Sequence, residues 1–382
     1  MRILCGTFLM AVATVGAEDA VWTSVVESRS GYNSWPMIQA VGDKLVCAYS
    51  RGSGHTVDEG KRGVFARVSK DGGATWLDEV PVCNTPEWGE VTVGKGLDVS
   101  GAMLLWIRRV DGHGFGDGSF HDLWRTVDGA AWEKVATPKL DPSPVQITDI
   151  FAVPGKGLMS LWFAGDYKDK SAGHSWGTLT SVDGGRTWTQ RTVESGLGKD
   201  EWPTEQSAVH LGGGRILAIA RCESGGRCQH QLTSTDDGET WRRERANIND
   251  VKESTPSLIY DANTKTVFNY YYQRGAKRLK CRKANADFVF DHPTEWPEPS
   301  VLFEGSEERP YDAGNVNATR YGDCHFLAVY SGSPSNTTVF AVTVSRSMLK
   351  PAPTSPTIPP SSTAGETRWP TSSRRPRNSA NL

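Results

Sequence analysis

The sequence lacks the charge imbalance and the long apolar segments that mark several classes of protein. Its 42 Lys and Arg residues nearly balance its 44 Asp and Glu residues, which gives a net charge of −2 at pH 7. No basic block is long enough to neutralise the phosphates of a nucleic acid, so nucleic acid is not expected as a partner. Beyond the N-terminus no stretch approaches the ~20 apolar residues of a transmembrane helix, so no membrane span is expected either.

Cysteine is also scarce. Seven cysteines in 382 residues are too few for a disulfide framework, and none has the Cys/His spacing of a zinc site. Cys222 and Cys228 flank a short loop and form the only pair close enough in sequence to suggest a bridge. Cys47 and Cys324 lie in apolar runs and are expected to be buried thiols. The sequence therefore predicts neither a metal nor another cofactor.

Glycine, proline and tryptophan, by contrast, are abundant. The chain contains 40 Gly, 21 Pro and 14 Trp, and only 37% of its residues are hydrophobic. Glycine and proline interrupt helices, whereas aromatic side chains favour the half-buried surface of a pleated strand. This composition argues against a helical bundle and predicts many short strands joined by many turns.

The two ends of the chain differ from the rest. Arg2 precedes an apolar run over residues 3–15, and a small-residue cleavage pattern follows at 15–17. Residues 1–17 are therefore interpreted as a secretory signal, and the mature protein is expected to be secreted or periplasmic. Residues 350–382 are rich in Pro, Ser and Thr and poor in apolar residues, so we expect a disordered tail.

One short motif recurs along the chain. The sequence SKDGGATW at residues 69–76 returns as SVDGGRTW at 181–188 and as STDDGETW at 234–241, with a shortened copy, TVDGAAW, at 126–132. Successive copies start 57, 55 and 53 residues apart. This regular spacing indicates one supersecondary unit of about 55 residues that is repeated along the chain.

Each copy of the motif predicts a tight hairpin corner. Its Asp accepts hydrogen bonds from nearby backbone N–H groups, and its Gly residues supply the positive φ angles that a tight turn needs. Four strands of about six residues and their turns fill one repeat, which is one blade of a β-propeller. Residues 18–349 hold about six such repeats. The sequence therefore predicts a single all-β, six-bladed propeller whose fifth and sixth repeats are degenerate, and five or seven blades stay open.

The corner motif resembles the Asp box of sialidases and related propellers, and three further segments resemble the active-site strands of exo-sialidases. The first segment, residues 48–58, precedes the first corner, and the resemblance implies that its Asp58 is the general acid/base. The second, residues 204–221, has a Glu, a small-residue strand, a Gly turn and an apolar strand that ends in Arg. This similarity implies Glu205 as the base beside the nucleophile and Arg221 as a ligand of the substrate carboxylate.

The third segment, residues 308–330, resembles the sialidase strands that present a nucleophilic tyrosine, which implies Tyr311 in that role. The anomeric carbon of a sialoside bears a carboxylate that would repel an anionic nucleophile but not a neutral phenol. A Glu takes the phenol proton as attack begins, and an Asp protonates the leaving oxygen and later activates water. The resemblance thus implies a retaining exo-α-sialidase that acts on sialylated glycans or glycoproteins, and we expect a monomer.

Arginines bind the substrate carboxylate of sialidases through bidentate bonds. One arginine of the family's three is missing here, since Ser34 stands at its position, and Arg29 and Arg51 are the candidates to take its place. The third arginine is either Arg274 or Arg278, which lie at the mouth of the same predicted strand.

Each of these assignments has a structural alternative that the sequence leaves open. Asp58 is otherwise an ordinary turn carboxylate, Glu205 and Arg221 a solvated pair at a strand end, and Tyr311 a side chain packed between blades. Two other functions also stay open. One is a propeller glycosidase for another acidic nonulosonic sugar, suggested by the missing arginine, and the other is a carbohydrate-binding propeller without turnover.

Overall fold

The computed structural model describes residues 20–55, 62–110, 119–167, 173–223, 228–251, 254–304 and 311–345, with only the backbone for 20 and 311–314. These residues form 24 β-strands, one α-helix and two short 3-10 helices, so the described chain is nearly all β. The segments interpreted as a signal and as a disordered tail, residues 1–17 and 350–382, lie outside the described residues and stay predictions.

Over the described residues the strands form six antiparallel sheets of four, which are the blades. The first strand, β1 (Ala20–Val26), is followed by blade 1, which consists of β2 (Tyr32–Val41), β3 (Lys44–Gly52), β4 (Gly63–Ser69) and β5 (Val80–Cys83). Blade 2 consists of β6 (Gly89–Leu97), β7 (Met103–Val110), β8 (Ser119–Thr126) and β9 (Glu133–Ala136). Blade 3 consists of β10 (Gln146–Val153), β11 (Gly157–Ala164), β12 (His174–Ser181) and β13 (Thr189–Leu197).

The remaining blades continue the same order. Blade 4 consists of β14 (Pro203–Gly212), β15 (Arg215–Cys222), β16 (Gln229–Ser234) and β17 (Arg242–Arg245). Blade 5 consists of β18 (Ser257–Asp261), β19 (Thr266–Gln273), β20 (Arg278–Asn285) and β21 (Ser300–Glu304). Blade 6 consists of β22 (Tyr311–Tyr321), β23 (Cys324–Gly332) and β24 (Thr337–Val344), with β1 as its fourth strand.

The first strands of the blades form a closed ring. β2 contacts β6, and the contacts continue through β10, β14 and β18 to β22, which contacts β2 again. These inner strands surround the propeller axis, while β1 pairs antiparallel with β24 and completes the last blade with a strand from the start of the described chain. The predicted six-bladed propeller is confirmed, and the counts of five and seven blades are excluded.

The Asp boxes form the turns between the third and fourth strands of blades 1 to 4. In blade 1 the Ser69 hydroxyl donates to the Asp71 carboxylate at 2.8 Å and accepts the N–H of Gly73 at 2.7 Å. The Asp71 carboxylate also accepts the N–H and the hydroxyl of Thr75, and the hydroxyl bond is the main reason that its pKa falls to about 2. The same bonds recur in blades 3 and 4, so the repeated motif has one repeated geometry.

The fifth and sixth repeats are degenerate for two different reasons. In blade 5 a short helix, α1 (Ala286–Asp291), takes the place of the corner between β20 and β21, and the Asn285 side chain caps it by accepting the N–H of Phe288 at 3.0 Å. In blade 6 the fourth strand is β1, so the chain makes no turn from third to fourth strand. Within the described part of the chain no helix has the length and apolar character needed to cross a bilayer.

The described cysteines form no disulfide bond with one another. Cys222 is buried and Cys228 is half-buried, and the bridge suggested for this pair is not formed. Cys47 is buried as expected, whereas Cys324 is only half-buried because it is the first residue of β23, next to the turn from β22.

Candidate functional site

All six inner strands begin at one face of the propeller, because each is the first strand of an equivalent blade. A cavity of about 30 Å³ lies among them, room for about one or two water molecules. Every blade contributes to its wall, and its lining includes Trp35, Val93, Asp149, Glu205, Pro256 and Val316. All six blades therefore meet around this one cavity.

A β-bulge near the start of β14 determines where Glu205 lies. The register with β15 shifts between Thr204 and Ser207, and Glu205 within the bulge has a φ of +47°. The inner strand of blade 1 has a corresponding shift, with a φ of +49° at Trp35. A non-glycine residue in this left-handed region costs on the order of 1–3 kcal/mol, and such strain is found where a side chain must be held in a functional direction.

Glu205 is buried and receives hydrogen bonds from three blades. Its Oε1 lies 3.0 Å from Nη1 of Arg221 in blade 4 and accepts the hydroxyl of Tyr167, which follows β11 in blade 3, at 3.3 Å. Its Oε2 accepts the hydroxyl of Thr255, which precedes β18 in blade 5, at 2.6 Å. The side chain is only 10% exposed, so the Glu205–Arg221 pair is not the solvated strand-end pair of the structural alternative.

Arg221 also contacts a second glutamate. Its Nε lies 2.8 Å from Oε1 of Glu223, and its Nη2 donates to Oε2 of the same residue at 3.2 Å. The Thr204 hydroxyl donates to Glu223 Oε1 at 2.7 Å. One guanidinium therefore stands between two buried carboxyl groups.

These surroundings shift the pKa values of the two carboxyl groups in opposite directions. Burial tends to raise the pKa of Glu205, but the Arg221 charge, the Thr255 hydrogen bond and the Arg274 charge together lower it below the usual range. For Glu223, burial dominates and the Glu205 charge adds to it, so its pKa is raised in spite of Arg221. A pair of carboxyls pushed apart in this way is typical of a site that needs both a charged and a protonated form.

Of the two candidates for a third arginine, Arg274 is the one beside this cluster. It follows β19, its charge acts on the Glu205 carboxyl, and its Nη2 donates to Oδ1 of Asn315 at 3.4 Å. Arg278 begins β20, and its Nε lies 2.8 Å from Oε1 of Glu304 on the outer strand of blade 5. The pair with Glu304 is exposed on both sides, so Arg278 is engaged away from the inner strands.

The predicted nucleophile is Tyr311 and the predicted acid/base is Asp58. Asp58 and the side chain of Tyr311 lie outside the described residues, and their roles stay predictions. The backbone of Tyr311 begins β22. Four residues further along this strand, Asn315 forms a parallel bridge with Thr255, the hydroxyl donor to Glu205. The strand that carries Tyr311 thus passes next to the Glu205 cluster.

Arg51 contacts Asn33 and Glu79, which lie outside the Glu205 cluster. Its Nε donates to Asn33 Oδ1 at 2.8 Å, and its Nη1 donates to Oε1 of Glu79, just before β5, at 2.8 Å. The second oxygen of Glu79 completes a bidentate pair. Arg29, the other candidate for the place at Ser34, is exposed in a 3-10 helix. Among the described residues no contact joins either arginine to Glu205.

The guanidinium beside Ser34 belongs to Arg62, which the sequence analysis did not single out. Arg62 Nη1 donates to the Ser34 hydroxyl at 3.0 Å, and Nη2 donates to the carbonyl oxygen of Gly54. The guanidinium lies over the ring of Trp35, 4.7 Å from its centroid, and the residue is only 2% exposed. No local pattern could have found this contact, since Arg62 is 28 residues away and lies just before β4.

Three other residues of the cluster were also missed. Glu223 follows Arg221 by two positions, and the period of a strand places such residues on one face, so this signal was present in the sequence. Tyr167 carries no motif, and burial followed by the charges of Glu205 and Glu223 raises its pKa well above the usual value. Burial also lowers the pKa of Arg108, in β7, to about 10, and the charge of Tyr167 opposes this shift.

Lys95 and Asp149 are two further charged groups near the axis. Lys95 Nζ donates to the carbonyl oxygen of Ala318 at 2.8 Å, and Asp149 accepts the Ser207 hydroxyl at 2.7 Å. Burial lowers the pKa of the lysine and raises that of the aspartate, while their mutual attraction opposes both shifts. Within the described residues no group of three or more His, Cys, Asp or Glu side chains is placed to hold a metal ion.

The sequence of the chain matches a known family. Residues 129–350, more than half of the chain, match the family described as BNR repeat-like domain. The chain belongs to this family. The matched range of this BNR repeat protein includes the third and fourth Asp-box corners together with Glu205 and Arg221. No curated protein matches the chain.

The BNR repeat chain is also similar to solved structures. A protein of unknown function from Dyadobacter fermentans is 16% identical with a TM-score of 0.68, over 86% of this chain and 99% of that one. The NanB sialidase from Streptococcus pneumoniae is 12% identical with a TM-score of 0.63, over 86% and 71%. Trypanosoma rangeli sialidase in complex with 2,3-difluorosialic acid, a covalent intermediate, is 11% identical with a TM-score of 0.63, over 85% and 59%. At such identities the similarity shows a sialidase-like propeller fold.

Proposed function

We propose that this protein is a secreted or periplasmic retaining exo-α-sialidase that removes terminal sialic acids from glycans or glycoproteins. The observation that carries the proposal is the buried Glu205–Arg221 pair at the face where the six inner strands begin. The pair combines a base with a guanidinium that can bind a carboxylate, which are the two groups that a sialoside requires. The sialidase-like fold supports this choice of substrate class.

In the proposed reaction Tyr311 is the nucleophile, Glu205 its base and Asp58 the general acid/base. The Tyr311 oxygen attacks the anomeric carbon while Glu205 takes the phenol proton, and Asp58 gives its proton to the leaving oxygen as the glycosidic bond breaks. Water, deprotonated by Asp58, then displaces the tyrosyl oxygen with net retention, and Glu205 returns the proton. The lowered pKa of Glu205 supports its role, because the group is ionised at neutral pH and can accept a proton.

The substrate carboxylate is bound by arginines in this proposal. Arg221 and Arg274 approach from blades 4 and 5, and Arg62 supplies the third guanidinium at the position next to Ser34. The bidentate pairing of Arg51 with Glu79 argues for a structural role for this arginine.

The activity itself is tested with a fluorogenic sialic acid glycoside, alongside glycosides of neutral sugars and of another acidic nonulosonic sugar. We expect release of the fluorophore from the sialoside alone. Turnover only of the other acidic glycoside would replace the proposed substrate, and binding of sialic acid without any turnover would identify a carbohydrate-binding propeller. The other acidic sugar is the second candidate because Ser34 stands where the sialidase pattern has an arginine.

The catalytic residues are tested by Tyr311→Phe and Glu205→Gln. Each variant should stay folded and lose about 1000-fold or more in turnover, and the double variant should lose far less than the sum of the two effects, because the residues act as one unit. Tyr321→Phe is the matched control, since Tyr321 ends the same strand at the opposite face and donates to the carbonyl oxygen of Asp43 at 2.9 Å. A 2,3-difluorosialic acid should label Tyr311 with loss of fluoride. Labelling of Tyr167, whose hydroxyl donates to Glu205 at 3.3 Å, would show that the nucleophile is misassigned.

A further inference from the structure

The part of Arg221 that is best suited to bind a carboxylate is already occupied. A guanidinium presents two parallel N–H donors along its Nε–Nη2 edge, and this fork matches the two oxygens of a carboxylate. In Arg221 this edge lies against Glu223: Nη2 donates to Oε2 at 3.2 Å, and Nε lies 2.8 Å from Oε1 as an ion-pair contact without hydrogen-bond geometry. Glu223 therefore takes the position that a substrate carboxylate would have to take on this edge.

Glu223 is held in this position by more than its charge. The residue is 7% exposed, and the Thr204 hydroxyl donates to its Oε1 at 2.7 Å. The opposite side of the guanidinium is engaged too, because Nη1 lies 3.0 Å from Oε1 of Glu205. A third carboxylate near Arg221 would meet two negative charges at close range unless one of them is neutralised or displaced.

We propose that Glu223 is a specificity-determining positioning residue that occupies the Arg221 fork in the empty site and is displaced when a substrate carboxylate binds. The inference rests on the proposed function, because it takes Arg221 as the ligand of the substrate carboxylate. It means that an anionic sugar binds in competition with an internal carboxylate. Affinity for such a sugar is then limited by Glu223 and not only by the arginines.

The competition depends on pH because only the ionised form of Glu223 holds the fork firmly. Three charged or titratable groups face Glu223: Arg221 from β15, Glu205 from β14 and Tyr167, which follows β11. Burial, with a further contribution from the Glu205 charge, raises the pKa of Glu223. As pH falls through this raised pKa, Glu223 takes up a proton and the repulsion of a substrate carboxylate disappears. Binding of an anionic sugar should therefore strengthen towards acidic pH.

The test measures binding of N-acetylneuraminic acid to the full chain by isothermal titration calorimetry between pH 4.5 and pH 8. Glu223→Gln keeps the shape of the side chain and removes its charge. At pH 8 this variant should bind the sugar at least about tenfold more tightly than the wild type, since the competing charge is absent. At pH 4.5 the difference should be much smaller, because the raised pKa of Glu223 favours its protonated form there, while an α-carboxyl of pKa about 3.5 stays ionised.

Glu194→Gln provides the matched control. Glu194 in β13 also holds an arginine in a bidentate pair, with its oxygens 2.8 Å from Nε and 3.2 Å from Nη2 of Arg243 in β17. This pair joins the outer strands of blades 3 and 4, away from the inner strands. The control should leave the affinity for the sugar unchanged at both pH values.

Equal or weaker binding by Glu223→Gln at pH 8, or no measurable binding by any of these proteins, would overturn the inference. If Glu223→Gln fails to fold, as judged by its circular dichroism, Glu223→Asp takes its place. The aspartate withdraws the carboxylate by one methylene and should also tighten binding at pH 8. The proposed function fails separately: a wild type that binds the sugar but does not hydrolyse the fluorogenic sialoside is not a sialidase, and the effect of Glu223 on binding would still stand.

Discussion

Two residues with left-handed backbone, Glu205 and Trp35, face each other across the propeller axis. They occupy corresponding bulges in the inner strands of blades 4 and 1, which are three positions apart in a ring of six, and both line the same cavity. Each is contacted by an arginine: Arg221 pairs with Glu205, and the guanidinium of Arg62 lies over the Trp35 ring. The strain at both positions is thus compensated by contacts that also assemble the candidate site.

A first prediction at this scale concerns Arg62. Its fork contacts the Ser34 hydroxyl through Nη1 and the Gly54 carbonyl through Nη2, and a lysine ammonium lacks the planar pair of nitrogens that spans these two acceptors. Arg62→Lys should therefore raise the KM for the fluorogenic sialoside by about tenfold or more, with a smaller change in kcat. Steady-state kinetics on the purified variant measures both constants.

The control for Arg62 is Arg320→Lys. Arg320 lies near the end of β22, at the opposite face, and its Nη1 is 3.1 Å from Asp261 Oδ1. This variant should keep both kinetic constants. If Arg62→Lys behaves like the control, the third guanidinium of the site has been assigned to the wrong residue.

At the scale of whole elements, the inner strands depend on glycine for their close packing. A Cβ added at Gly96 in β6 would lie 2.0 Å from the carbonyl oxygen of Ile150 in β10, and one at Gly94 would lie 2.3 Å from that of Thr148. These contacts are with backbone, which has no flexible side chain that could move aside. The spacing between blades 2 and 3 is therefore determined by the absence of two side chains.

Gly96→Ala should push β6 and β10 apart and lower the free energy of unfolding by about 1–3 kcal/mol, the usual cost of overpacking a core. Chemical denaturation followed by tryptophan fluorescence measures the loss. Gly198→Ala is the control, because Gly198 has an ordinary φ of −69° and a Cβ there would meet nothing within 4 Å. If the two substitutions had equal effects, the close approach of β6 and β10 would not be the reason that position 96 requires glycine.

At the scale of the whole molecule, one strand closes the ring of blades. β1 pairs antiparallel with β24 and supplies the fourth strand of blade 6. Its Trp22 packs against Phe340 in the same blade, with ring centroids 5.7 Å apart, and against Phe303 in blade 5, at 4.5 Å. The strand therefore joins the beginning of the described chain both to its own blade and to the preceding one.

Trp22→Ala should weaken this closure and lower the free energy of unfolding by about 2–3 kcal/mol, less than for a fully buried tryptophan because the side chain is half-buried. Val21→Ala is the control on the same strand, since Val21 is 57% exposed and should cost little. Thermal unfolding monitored by circular dichroism compares the two. Equal melting temperatures would mean that β1 contributes little to holding the propeller together.

The fold was largely predictable because its signal is local. Each Asp box makes its own hydrogen bonds within a few residues, as Ser69, Asp71 and Thr75 do in blade 1, so the motif has the same structure wherever it occurs. Its spacing predicts the length of a blade and favours six blades, and the closed ring of six sheets excludes five and seven. The glutamate–arginine pair was predictable as well, since Glu205 and Arg221 lie on one hairpin and face each other across it.

The other side chains around this pair are brought together only when the ring of blades closes. Tyr167 and Thr255 reach Glu205 from the neighbouring blades, 38 and 50 residues away in the chain, and Arg62 reaches Ser34 from the segment just before β4. No periodic pattern encodes such contacts, because they arise when six separate hairpin starts converge on one axis. Local sequence signals thus predict the repeat, the blade and the place of Glu205 and Arg221 on one hairpin, whereas the closure of the ring fixes the number of blades and brings the other charges and hydroxyls around that pair.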